Sequence, residues 1–209
     1  MHALSAAGLA AIAAMLVTST AMAIEEPRFK VLEKDGSFEL REYSAYVVAE
    51  TRVEAGFEDA GSLAFQRLFR YISGNNVAQQ KIAMTAPVTQ SGSEKIKMTA
   101  PVSQVADGNA YLVAFSLPST YTLATAPKPL DPTVRIRQVP AQLIACWRYS
   151  GRWTESNYRD HEMLLRERIN SRELIARGDP VLARYNPPFT PWFMRRNEVL
   201  IPVAGQPKR

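Results

Sequence analysis

Cysteine and histidine are almost missing from this chain, and their scarcity removes whole classes of chemistry. Cys146 is the single cysteine, so no disulfide forms within the chain. Cysteine-based zinc sites and covalent cofactor attachment through a cysteine pair are excluded with it. It lies in the strand-like apolar run 143–147, where a free cysteine ordinarily packs as a small hydrophobe. The two histidines are His2 and His161. Multi-histidine metal sites and paired-histidine iron ligation therefore have no residues to build them. No glycine-rich phosphate loop, Gly-x-Ser-x-Gly elbow or cluster of metal ligands is present. The residues point to binding rather than catalysis.

Charge is absent from the N-terminus. Met1 to Ala23 contains no Asp, Glu, Lys or Arg, and Ala6 to Val17 is almost wholly apolar. That run falls short of the roughly 20 apolar residues a membrane-spanning helix needs. Thr18, Ser19 and Thr20 follow, then Ala21-Met22-Ala23, the small-x-small pattern cleaved by signal peptidase. Residues 1–23 are therefore expected to be a cleaved signal peptide, and the mature protein a soluble, periplasmic one beginning near Ile24. No later stretch is apolar enough to span a membrane as a helix, so an integral membrane protein is not expected. Residues 24–209 hold all 25 basic and 20 acidic side chains and are long enough for one domain with a sizeable core. The positive excess favours anionic ligands or lipid surfaces, or is a solvated face with no partner. Export leaves little opportunity to meet nucleic acid, and none is expected as a partner.

What is present is repetition. Residues 81–88 (Lys-Ile-Ala-Met-Thr-Ala-Pro-Val) return at 95–102 with seven of eight positions unchanged, across a Ser91-Gly92-Ser93 turn. β-Branched residues and alternation predict two extended segments, paired as a hairpin or as adjacent edges and ended by Pro87 and Pro101. A fainter repeat aligns residues 38–49 with 134–145: Leu40 matches Ile136, Arg41 matches Arg137, and Val48 matches Ile144. Each copy reads strand, turn, strand, then a glycine and a helical pattern. Phe57, Ala60, Ala64, Leu68 and Ile72 recur on one face of a helix expected over 58–73, which Gly74-Asn75-Asn76 ends. A second helix is expected over 155–171, capped by Thr154, with Tyr158, His161, Leu165 and Ile169 along one stripe. Further strands are expected at 111–117 and 199–203. The expected fold is α+β: a distorted antiparallel or mixed β-barrel with two α-helices, built from two pseudo-repeated β-β-α-β units.

Six strings in a fixed order carry a resemblance: Arg41-Glu42-Tyr43, residues 69–76, residues 81–88, Tyr149-Ser150-Gly151, residues 184–189 and residues 195–199. Over Ile24 to Val203 the chain resembles the SOUL haem-binding proteins, as a bacterial exported member. The resemblance implies a barrel-like fold with two helices and reversible, non-covalent binding of haem b or another tetrapyrrole, without catalysis. It also implies a ligand on the first helix, facing the loop between the last strands. Here that means Phe65, Leu68, Phe69 and Arg70, opposite residues 187–195. The duplicated plan also resembles bacterial effector-binding domains, which leaves another apolar small molecule or an envelope partner protein as an alternative.

A haem site needs apolar walls, cations near two carboxylates and, optionally, an iron ligand. Phe189, Trp192 and Phe193 lie in a proline-braced loop and either form such a wall or cap the core. Arg70, Arg195 and Arg196 are candidate partners for propionates. His161 is the candidate axial ligand, although its place on a helix stripe equally suits a structural histidine. Met84 and Met98 could donate thioether sulfur, but their strand-like settings are better explained as core packing.

Overall fold

Alternation of side chains along extended segments organises this molecule, which we describe from a computed structural model covering residues 24–79 and 92–205. The expected leader and the first Met-Thr-Ala-Pro-Val segment, including Met84, lie outside the described residues. In the first half are β1 (Phe29–Asp35), β2 (Phe38–Tyr43), β3 (Tyr46–Val53), α1 (Phe57–Ile72), β4 (Asn76–Val77), β5 (Val102–Asp107) and β6 (Ala110–Ser116). The second holds β7 (Lys128–Pro129), β8 (Val134–Val139), β9 (Gln142–Tyr149), α2 (Glu155–Ser171), β10 (Ile175–Ala176), β11 (Val181–Arg184) and β12 (Asn197–Ala204). A single 3₁₀ turn, Trp192–Met194, interrupts the last connection.

One large sheet runs β1-β2-β9-β12-β11-β5-β6-β3-β8, with β10 added beside β12. Every pairing between named strands is antiparallel. The sheet is open, because β1 and β8 end it without pairing to each other, so the expected closed barrel is not what forms. Helices perform the burial that closure would have performed: α1 packs on β3, β6 and β8, and α2 on β9 and β12. The period-2 alternation then divides the sheet residues cleanly. Phe38, Leu40, Ala145, Leu182, Val199 and Ile201 enter the core beneath α2. Val47, Ala49, Val113, Phe115 and Val134 enter the core beneath α1.

The helices form where apolar spacing dictates. Phe57, Ala60, Ala64, Leu68 and Ile72 of α1 are all buried, and Gly74, at φ +117°, turns the chain away as only glycine does readily. In α2 the Thr154 hydroxyl caps the first turn by accepting from the Asn157 N–H at 3.4 Å. The second Met-Thr-Ala-Pro-Val copy departs from expectation. Residues 92–98 form no strand, Thr99 makes an isolated parallel bridge to Glu25, and β5 starts only after Pro101, which has no N–H to donate. Among the described residues no helix is long and apolar enough to cross a membrane.

Candidate ligand cavity

The connection from β11 to β12 carries Pro187, Pro188 and Pro191 and is clasped at its base. Tyr185 donates its N–H to the Arg196 carbonyl at 3.2 Å, and Gly151 donates to the Trp192 carbonyl at 3.0 Å. Arg195 holds the loop from within. Its Nε donates to the Thr190 carbonyl and its Nη2 to the Pro188 carbonyl, both at 2.8 Å, while its guanidinium lies 4.1 Å from the centre of the Trp153 ring.

Between this loop and α1 lies a cavity of about 580 Å³, inside the range of roughly 300–1,000 Å³ usual for small-molecule sites. Gly61, Phe65 and Gln66 of α1 form one side, Met98 to Ala100 another, and Tyr185 to Phe189 the rim. Trp153 closes the end nearest Arg195. The Phe65 ring is fixed by an edge contact to Phe115 at 5.4 Å and a stacked contact to Phe69 at 5.7 Å. The walls are mainly apolar. Arg184 is the only charged side chain among the described residues that line them.

Arg184 ends β11 on the helix-covered face, two residues beyond the core residue Leu182. It is 8% exposed. Its Nη2 donates to Gln104 Oε1, its Nε has no hydrogen-bond partner among the described residues, and its guanidinium sits 5.3 Å from the Trp153 ring centre. Burial pulls the guanidinium down to about 10, which leaves it charged at neutral pH.

The residues singled out from the sequence fall in different places. Phe65 and Phe189 line the cavity. Phe69 is 44% exposed beside it and extends the apolar surface through its stack with Phe65. Leu68 is wholly buried under α1, turned to the sheet rather than to the cavity. Arg70 is exposed, within electrostatic reach of Asp131. Trp192 and Phe193 pack edge to face at 5.6 Å and are 50% and 61% exposed, so neither caps the core. Arg195 donates from Nε and Nη2 to carbonyls of its own loop, and Arg196 is held by Glu198 at 2.9 Å and Glu26 at 2.7 Å. His161 stacks on Tyr149 at 4.1 Å, has its Nδ1 2.7 Å from the Asn157 carbonyl, and does not line the cavity. Met98, expected in the core, is 44% exposed and lines the cavity instead. Arg184, Gly61 and Trp153 escaped sequence reasoning. The available signal was the alternation Leu182, Arg184 in a strand whose other residues are apolar.

The opposite face of the sheet is polar at its centre. Arg41 donates to both Glu198 oxygens at 2.6 and 3.0 Å and to Glu39 at 2.8 Å, and Tyr185 adds a hydroxyl to Glu198 at 2.8 Å. Burial alone would raise the Glu198 carboxyl, but hydrogen bonding and charge from Arg41, with the charge of Arg196, carry it down to about 2. Cys146 is buried beside this network, and burial pushes its thiol up. A cavity on this face is about 210 Å³, below the usual size for a drug-sized ligand. Among the described residues no group of three or more His, Cys, Asp or Glu could hold a metal ion.

Comparison with known proteins gives likeness at two levels, sequence and fold. The family model described as "SOUL heme-binding protein" matches residues 24–202. Heme-binding protein 1 of Xenopus tropicalis is 30% identical over 169 residues, covering 80% of this chain and 84% of that protein. Among solved structures, the EcmrR C-terminal domain superposes with a TM-score of 0.53 at 10% identity, covering 80% of this chain and 96% of that one. A hydrolase from Listeria innocua gives 0.52 at 10% identity, covering 83% and 94%. At such identities the likeness is one of fold alone.

Proposed function

The chain belongs to the SOUL haem-binding protein family, and from that footing we propose that it binds haem or another tetrapyrrole non-covalently in the cavity between α1 and the 185–196 loop. It acts as a carrier, buffer or sensor in the cell envelope, without catalysing a reaction. The observation that carries this reading is the cavity itself, an apolar slot of ligand size with the 85% exposed Phe189 at its rim. An exposed aromatic beside an apolar slot is surface held ready for a partner. The residues fit a flat apolar disc with acidic edges: Phe65, Trp153 and Phe189 supply walls, and a buried guanidinium supplies positive charge. A bound haem would bring its iron; His161 is not a cavity residue, and Met98 is the one thioether among the described lining residues. The mainly apolar walls supply most of the affinity.

The sheet order supports an internally duplicated architecture. β2 and β8 have equal lengths, as do β3 and β9, and each pair is separated by the same offset in the chain. β2 pairs with β9 while β3 pairs with β8. The cavity then lies where the two halves meet, since Val102 of β5 and Arg184 of β11 both line it and those strands are partners. Envelope localisation rests on the uncharged segment 1–23 and its Ala21-Met22-Ala23 ending.

Titrating the purified protein with haemin and with iron-free protoporphyrin, while following the Soret band and tryptophan quenching, tests the binding proposal. Comparable micromolar affinity for both is expected; binding of neither overturns it. N-terminal sequencing of protein from the envelope fraction should begin at Ile24, and an intact Met1 would refute export by cleavage.

A further inference from the structure

We propose that Arg184 is the carboxylate anchor of the cavity and that it restricts the ligands to flat apolar molecules bearing an acidic group. The inference rests on the reading that the cavity is the ligand site, and it adds what that site selects.

The argument begins with what surrounds the guanidinium. Arginine carries five N–H donors in a rigid fork. Among the described residues only Gln104 accepts from Arg184, and Nε is buried with no partner. The deeply placed arginines elsewhere behave differently: Arg41 holds Glu39 and Glu198, Arg172 holds Glu33 and Asp35, and Arg196 holds Glu26 and Glu198. Arg184 forms no ion pair among the described residues, and residues 1–23, 80–91 and 206–209 contain no Asp or Glu that could supply one. The Trp153 ring it approaches is shared with another cation, Arg195, whose guanidinium lies 4.1 Å from the ring centre. A buried charge without a counter-ion is costly, and here it borders the apolar cavity beneath the loop.

The helix opposite is shaped to admit that head group. A Cβ at Gly61 would stand 2.7 Å from Arg184 Cζ, closer than carbon atoms pack. Glycine within a helix is unfavourable relative to alanine, so its presence in the second turn of α1 is consistent with a requirement for space at this point. Room for the guanidinium, free donors and apolar walls together make a receptor for one carboxylate on a flat hydrophobic body. Guanidinium and carboxylate match as a two-pronged pair. The propionate edge of a tetrapyrrole has this chemistry, and so does any aromatic acid of suitable size.

The test compares acids with their esters. Protoporphyrin IX and its dimethyl ester, and 1-pyrenebutyrate and its methyl ester, are titrated into the full chain by tryptophan quenching, in wild type, Arg184→Gln and Gly61→Ala. Wild type should bind each acid about 10- to 100-fold more tightly than its ester, the scale of hydrogen bonds to a charged group. Arg184→Gln should bring the ratio near unity, and Gly61→Ala, which keeps the charge but displaces it, should reduce it. Equal binding of acid and ester by wild type, or an acid preference that survives Arg184→Gln, overturns the anchor while leaving tetrapyrrole binding intact. Should Arg184→Gln fail to fold by circular dichroism, the wild-type ratio and Gly61→Ala decide the matter. If neither porphyrin binds but pyrenebutyrate binds through Arg184, the tetrapyrrole reading fails and the anchor stands. If none of the four binds, both fall.

Discussion

Truncating Phe189 to alanine separates a ligand wall from a structural prop. The ring is 85% exposed in the folded protein, so its removal withdraws little buried surface. Stability should stay within about 0.5 kcal/mol of wild type, as for surface substitutions generally. The ligand complex behaves differently. An aromatic side chain can bury about 150–250 Å², and a flat ligand covering half of the exposed ring removes roughly 80 Å² from water. At about 25 cal/mol per Å² this contributes about 2 kcal/mol, or roughly a 30-fold change in Kd. Thermal unfolding and haemin titration of the same preparation read both quantities. An unchanged Kd, or a stability loss above about 1 kcal/mol, would refute the assignment of Phe189 as a wall.

Three further outcomes follow from the same geometry. Leu68→Ala should cost about 2–5 kcal/mol in urea unfolding, because Leu68 is wholly buried and a cavity would remain; a marginal loss would contradict its place in the core. His161→Ala should leave haemin affinity unchanged, since the ring is engaged with Tyr149 and the Asn157 carbonyl away from the cavity; a vanished Soret shift would mean that iron is ligated there. Glu198 should make stability depend on acidity. Its folded carboxyl lies near 2 against an ordinary 4.5, so the folded state binds fewer protons than the unfolded one between those values. The contribution, on the order of 3 kcal/mol, is complete above pH about 4.5 and is lost as pH falls to about 2. Urea midpoints across that window should fall for wild type and change less for Glu198→Gln; equal slopes would refute it.

Much of the secondary structure was legible because its causes are local. The 3.6-residue spacing from Phe57 to Ile72 and the Thr154 cap located both helices within a residue of where they lie. The strand expected over 199–203 falls inside β12, where Val199 and Ile201 enter the core. The candidate site was legible only in part. Phe65 was legible from helix spacing and Phe189 from its proline-braced loop, and both line the cavity. Leu68 belongs to the same apolar stripe as its neighbours, and spacing alone cannot say which flank of that stripe meets the sheet. Met98 was expected to pack inside, yet its segment forms no strand, and the side chain lies at the cavity edge.

By itself the sequence determined the helices, the alternating strands, the family and the near-absence of metal-binding side chains, since each depends on residue type and short-range spacing. Tertiary structure alone decided that the sheet stays open with a helix over each half, because strand order is set by pairings far apart in the chain. It also decided the chemistry of the cavity. Whether an arginine is neutralised depends on what the fold brings beside it, and at Arg184 the fold brings a glycine, a tryptophan and an amide, but no acid.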